Sequence, residues 1–137
     1  MRIMAIDYGL KRTGIAVTDP LKIIASPLTT VPTAEALEFI QKYCTTEQVE
    51  AFVVGLPLHK DGNPTHVSPH VDAFAERLQK LFPNCTIHRQ DERMSSASAK
   101  QIILNSGIKK MKRQDKALVD KVAAAVILEQ FMEEWYW

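Results

Sequence analysis

Cysteine is scarce: Cys44 and Cys85 are the only two in 137 residues. They lie far apart, with no C-x-x-C pair and no histidine at zinc spacing, so neither a disulfide framework nor a zinc site is encoded, and a reducing, cytoplasmic setting is expected. An excess of one charge is also missing, since 17 Lys and Arg face 16 Asp and Glu for a net +1. That excludes a histone-like tail and an acidic solubilising tract. Seven prolines and five glycines fall far below the roughly one quarter that marks disordered chains. Aromatics make up only 7%, so the core must be built mainly from Ile, Leu, Val and Ala. No apolar run approaches the roughly 18 residues of a membrane span, and Asp7 interrupts the first one before a signal-peptide core could form. No membrane partner is expected. What remains is the length and 46% apolar content of one domain, residues 1–137, able to bury a core without staples.

Along the chain, Arg2 to Ile6 and Thr13 to Thr18 are β-like runs joined by a tight turn through Gly9, and Ile23 to Val31 forms a third that ends at Pro32. Helical spacing begins at Thr33, with Leu37, Ile40 and Cys44 recurring. Ala51 to Val54 is continuously apolar, as a central strand buried on both faces would be. The stretch from Leu58 to Ser68 is turn-rich and aperiodic, and loops of such length are often functional. Ser68-Pro69 predicts an N-cap and first turn for a helix carrying Val71, Phe74, Ala75, Leu78 and Leu81 as one stripe. A fifth strand over Thr86 to Gln90 runs into Asp91-Glu92-Arg93. Ser95 or Ser96 then caps a helix that fades at Asn105-Ser106-Gly107, and a last helix spans Lys116 to Met132. The order predicts an α/β protein with a five-stranded mixed sheet flanked by helices.

Three acidic positions stand out. Asp7 ends an apolar strand, and the carboxyl edge of a sheet is a common ligand site in open α/β folds. Gly9 would let a ligand approach the backbone, and Gly14 on the returning strand would leave space beside it. A turn-capping aspartate is the plainer alternative. Asp91-Glu92 follows a strand and precedes a helix N-terminus, where acids also simply suit the helix dipole. Asp120 is the most informative. Ala123, Ala124, Ile127, Leu128 and Phe131 share its helical face, so the carboxylate projects from a stripe that should meet the sheet. An ionised group there needs an ion pair or a metal. Carboxylates from these elements would converge at one sheet edge, and crowded acids repel unless a cation joins them. All-oxygen donors select Mg²⁺ or Mn²⁺, ions suited to phosphoryl chemistry.

Basic residues supply a matching signal. Lys109, Lys110, Lys112, Arg113 and Lys116 crowd the loop before the Asp120 helix, and Lys11 and Arg12 sit beside Asp7. In a chain with so little net charge this is a local patch, suited to a phosphate backbone, although a solvated loop has the same composition. His59, His66, His70 and His88 form no metal set, because Pro69 breaks the helical spacing of His66 and His70. Trp135-Tyr136-Trp137 could stack bases or pack the last helix against the body.

Asp7-Tyr8-Gly9-Leu10-Lys11-Arg12-Thr13-Gly14-Ile15-Ala16-Val17-Thr18-Asp19, then Gly55-Leu56-Pro57-Leu58 with Asp61-Gly62, then Asp91-Glu92-Arg93, then Asp120 with Ala123-Ala124 resemble the YqgF (RuvX) family in order over nearly the whole chain. The resemblance implies an RNase H-like fold and a bacterial, cytoplasmic, Mg²⁺- or Mn²⁺-dependent nuclease. Its substrate would be the ribosomal RNA precursor, matured at the 5′ end of 16S rRNA on or near the small ribosomal subunit, or a four-way DNA junction. It also implies catalytic and metal-binding roles for Asp7, Glu92 (or Asp91) and Asp120, with Lys11, Arg12 and Arg93 near the scissile phosphate. In the wider superfamily a carboxylate follows the fourth strand. Here Leu56-Pro57 stands there, which leaves one metal or two open. Other readings are a non-catalytic RNA-binding assembly factor and an actin-like ATPase or sugar-kinase lobe, the last lacking a second lobe to enclose a nucleotide. Self-association is expected to be absent or weak, giving a monomer or weak homodimer.

Overall fold

The structure, a computed structural model, describes residues 1–57, 65–91, 99, 101–102 and 116–137. Strands β1 (Arg2–Tyr8), β2 (Arg12–Thr18) and β3 (Ala25–Pro32) form an antiparallel meander. β4 (Val49–Leu56) lies parallel to β1, and β5 (Thr86–Asp91) parallel to β4, so the sheet order is β3-β2-β1-β4-β5. A 3-10 turn at Thr33–Glu35 leads into α1 (Ala36–Thr46), α2 (Ser68–Leu81) follows β4, and α3 (Lys116–Trp135) comes last among the named elements. Tight turns suffice for the antiparallel half, whereas the parallel half needs helical crossovers, and the chain supplies each where required. The five-stranded mixed sheet is the expected one.

Local differences have local causes. β3 begins at Ala25 because the Asp19 carboxylate accepts hydrogen bonds from the backbone N–H groups of Leu21, Ile23 and Ile24, which draws the preceding apolar residues into a turn. Ser68 does not cap α2. It lies within the first turn, its hydroxyl donating to Pro57 O at 3.0 Å and accepting from Thr65 N–H at 3.0 Å, so it ties the helix start to the end of β4. α3 runs past Met132 to Trp135. Ala99, Gln101 and Ile102 are helical, and the remainder of the helix predicted from Ser95 or Ser96 lies outside the described residues.

Alternation sorts the strands between two cores. Met4, Ile6, Ile15, Val17, Phe52 and Val54 pack against Ile40 of α1 and Val71, Phe74 and Leu78 of α2. On the other face Ile3, Ala5, Ala16, Ala51 and Val53 pack against Ala124, Ile127, Leu128, Phe131 and Met132 of α3. Small strand residues there admit large helix ones, each of which contributes about 1.5–3 kcal/mol on burial. α3 is buried without interruption from Val122 to Leu128, and Ala99 packs against Val122 and Ala123 in a cluster separate from the sheet core. A helix covered on all sides has no polar face. Among the described residues no helix is long and apolar enough to cross a membrane.

Candidate active site at the carboxyl edge of the sheet

Asp7 is the last but one residue of β1 and shares parity with Ile3 and Ala5, so it stands on the α3 face of the sheet. Its cross-strand partner is Gly14 of β2. A Cβ on Gly14 would lie 2.1 Å from the Asp120 carbonyl oxygen and 2.9 Å from Lys121 N. The backbone of α3 at Asp120 therefore rests directly on this glycine, the cross-strand neighbour of Asp7. The space predicted beside Gly14 exists, but the helix fills it rather than a ligand. Thr30 of β3 fastens the first turn of α3 by donating to Ala117 O at 2.5 Å.

The turn between β1 and β2 is similarly fixed. A Cβ on Gly9 would come within 2.5 Å of Arg12 O, so the closeness of the turn itself requires this glycine. The Thr33 hydroxyl donates to Gly9 O at 2.5 Å and lies 2.8 Å from the Thr13 hydroxyl, while Thr33 N–H donates to Lys11 O at 3.1 Å. Lys11 is exposed at this turn. Thr30 and Thr33 as supports of the site are not foreseen in the sequence, where hydroxyls near a strand end carry no distinguishing pattern.

Asp120 is half-buried, and all five residues predicted to share its stripe are buried. Its Oδ2 accepts a hydrogen bond from Arg12 Nε at 2.7 Å. Arg12 thus provides the ion pair that a carboxylate at this depth requires, and the same contact holds Asp120 in one orientation beside the strand that faces Asp7.

β5 carries one of the other acidic candidates, Asp91. The His88 ring lies tilted against Phe131 and Trp135, and Gln90 Nε2 reaches Glu134 at 3.4 Å, so even-numbered positions face α3. Arg89 pairs with Asp72 of α2 at 3.0 Å, Ile87 joins the core under α2, and Asp91, in register with Leu56, falls on that same face. Asp91 is therefore across the sheet from Asp7 and Asp120. Glu92, Arg93, Lys109, Lys110, Lys112 and Arg113 lie outside the described residues, as does His59.

Among the described residues no group of three or more metal-capable side chains is gathered. Two hard carboxylates flanking one glycine nevertheless fit an oxygen-seeking divalent cation better than a soft one. Thiol chemistry is disfavoured, because burial pushes Cys44 up to about 11 and also raises Cys85. Burial lowers the pKa of His88, whose ring belongs to the aromatic cluster under α3. Trp135 packs on Phe131, and Trp137 Nε1 donates to Lys22 O at 2.9 Å.

An antiparallel three-strand meander continued by two parallel strands, with helices on both faces, is an RNase H-like fold. Solved structures agree on the fold: a fowlpox virus resolvase in complex with Holliday junction DNA aligns over 100% of both chains with a TM-score of 0.62 at 12% identity. Thermus thermophilus RuvC with a Holliday junction substrate aligns over 99% of this chain and 96% of its own, with a TM-score of 0.58 at 16% identity. The sequence profile of the RuvX family, described as Holliday junction resolvase, matches residues 1–134. A Porphyromonas gingivalis protein is 50% identical over 132 residues, 96% of each chain. One from Christiangramia forsetii is 47% identical over 133 residues, 97% of this chain and 98% of its own. Both carry the name "Putative pre-16S rRNA nuclease". The chain belongs to the RuvX family.

Proposed function

We propose that this RuvX-family nuclease is metal-dependent and processes the 5′ end of pre-16S rRNA in the cytoplasm, on a precursor of the small ribosomal subunit. The observation that carries the reading is that Gly14, the cross-strand neighbour of Asp7, bears the α3 backbone at Asp120; the names of relatives near half identity supply the substrate. Asp7, Asp120 and Glu92 would hold Mg²⁺ or Mn²⁺. Glu92 is preferred to Asp91 because Asp91 stands on the other face of the sheet. A divalent cation held there supplies charge neutralisation at the phosphate and activation of the attacking water.

The chain's own residues orient the reaction. Arg12 holds the Asp120 carboxylate, and its positive charge lies where a phosphodiester would approach. Lys11, on the exposed turn, and Arg93 contact the phosphates flanking the scissile bond. Lys109, Lys110, Lys112 and Arg113 add backbone contacts further along the strand, which makes binding fall with ionic strength. The resolvase description of the family profile favours a second substrate, a four-way DNA junction.

One experiment separates the readings: end-labelled pre-16S rRNA and a DNA junction are incubated in parallel with wild type and Asp120→Asn, in Mg²⁺, Mn²⁺ or EDTA. Metal-dependent cuts in the RNA that vanish in the variant are expected. Cutting of the junction alone would transfer the assignment to resolution, and binding of RNA without cleavage of either would indicate an assembly factor.

A further inference from the structure

At the end of the sheet remote from Asp7, the turn between β2 and β3 and the last turn of α3 expose large apolar side chains together. Leu21, Ile23 and Ile24 on the turn and Trp135, Tyr136 and Trp137 after the helix are each 50–76% exposed. Two contacts join the groups: Trp137 Nε1 donates to Lys22 O at 2.9 Å, and Lys22 Nζ lies 5.1 Å from the Tyr136 ring centroid. The result is one surface with an aliphatic lobe and an aromatic lobe.

The surface is built rather than frayed. The Asp19 carboxylate accepts from the N–H groups of Ile23 at 2.7 Å, Ile24 at 2.8 Å and Leu21 at 3.2 Å, and Lys22 takes the left-handed backbone conformation at φ 60°. A turn fixed in this way presents its aliphatic side chains outward with little ordering left to lose on docking. Bare aromatic side chains offer roughly 150–250 Å² each. With the aliphatic side chains added, the six reach on the order of 800 Å², one partner's share of a standard interface. Patches above a few hundred Å² mark interaction sites.

We infer that this surface joins two copies of the chain about a two-fold axis, the aliphatic lobe of each copy seated on the aromatic lobe of the other. Two unlike lobes side by side are self-complementary under such an axis. Charge argues against nucleic acid as the occupant. The cations at this end are already held, the Met1 ammonium by Pro20 O and Lys22 by Glu50, while Asp19, Glu133 and Glu134 lie on the same elements and repel phosphate. The edge of β3 is no competing route, because Pro27 and Pro32 interrupt its hydrogen-bonding ladder. The arrangement leaves both carboxylate sites at the outer ends of the dimer.

Sedimentation velocity across the micromolar range tests this. Wild type should show a concentration-dependent dimer, and Ile23→Glu or Trp135→Lys should each weaken association at least about tenfold with the far-ultraviolet circular dichroism unchanged. Mixing the two variants should restore dimers, because the introduced glutamate then faces the introduced lysine. A wild type that stays monomeric throughout, variants that associate as wild type does, or a mixture that fails to recover would each overturn the proposal.

Discussion

Gly14 shows how one missing side chain can set a whole site. Its lack of a Cβ brings the α3 backbone at Asp120 onto β2, beside the residue that pairs with Asp7. Gly14→Ala should destabilise the fold by about 3 kcal/mol, since the clash is with backbone that cannot rotate away; urea denaturation measures this. Asp19 acts through its charge. Hydrogen bonds from Ile24, Ile23 and Leu21 hold its pKa below the ordinary 3.8, so its contribution is complete above that value and is lost as the pH falls through the depressed one. The stability deficit of Asp19→Ala relative to wild type, followed by thermal melting, should therefore be constant near neutrality and shrink below about pH 4. Asp7 and Asp120 are legible from sequence because each is an acid in an apolar pattern. The partner of Asp120 is not: Arg12 lies 108 residues away, and no local periodicity links them.

At the scale of elements, alternation assigns Asp91 to one face of the sheet. β5 turns His88 and Gln90 towards α3 and Ile87, Arg89 and Asp91 towards α2. Asp91→Asn should accordingly leave the cleavage rate within about threefold of wild type, while Glu92→Gln should reduce it by a factor of about 100 or more, as single-turnover assays would measure. Strand existence and sequence along the chain are readable because runs such as Ala51–Val54 and the turn at Gly9 are strong signals, whereas the order within the sheet is not. Boundaries are less legible. The Asp19 turn removes Ile23 and Ile24 from β3, and Ser68 serves the end of β4 instead of capping α2, both through side-chain hydrogen bonds that propensity does not encode. α3 is read correctly from its Asp120 stripe, yet the burial of Val122 and Ala123 involves Ala99, a contact from outside the helix.

For the whole molecule, the two ends of the sheet carry different chemistry. The carboxyl edge gathers Asp7, Asp120, Arg12 and Lys11, and the opposite end gathers the apolar side chains that suit a second copy. A net charge of +1 means that the proposed RNA binding must rest on local cations, not on a global field. Alanine at Lys109, Lys110, Lys112 and Arg113 together should flatten the salt dependence of RNA binding by up to about three or four counterions, as fluorescence anisotropy at several ionic strengths would detect. The central claim is that Asp7 and Asp120 form one catalytic centre across Gly14. It is tested most directly by a double-mutant cycle on metal-dependent cleavage of pre-16S rRNA with Asp7→Asn, Asp120→Asn and both together. Residues that act as a unit are non-additive, so each single substitution should abolish cleavage to background and the double should be no slower. Cleavage that survives either substitution, or losses that multiply in the double variant, would contradict a shared centre.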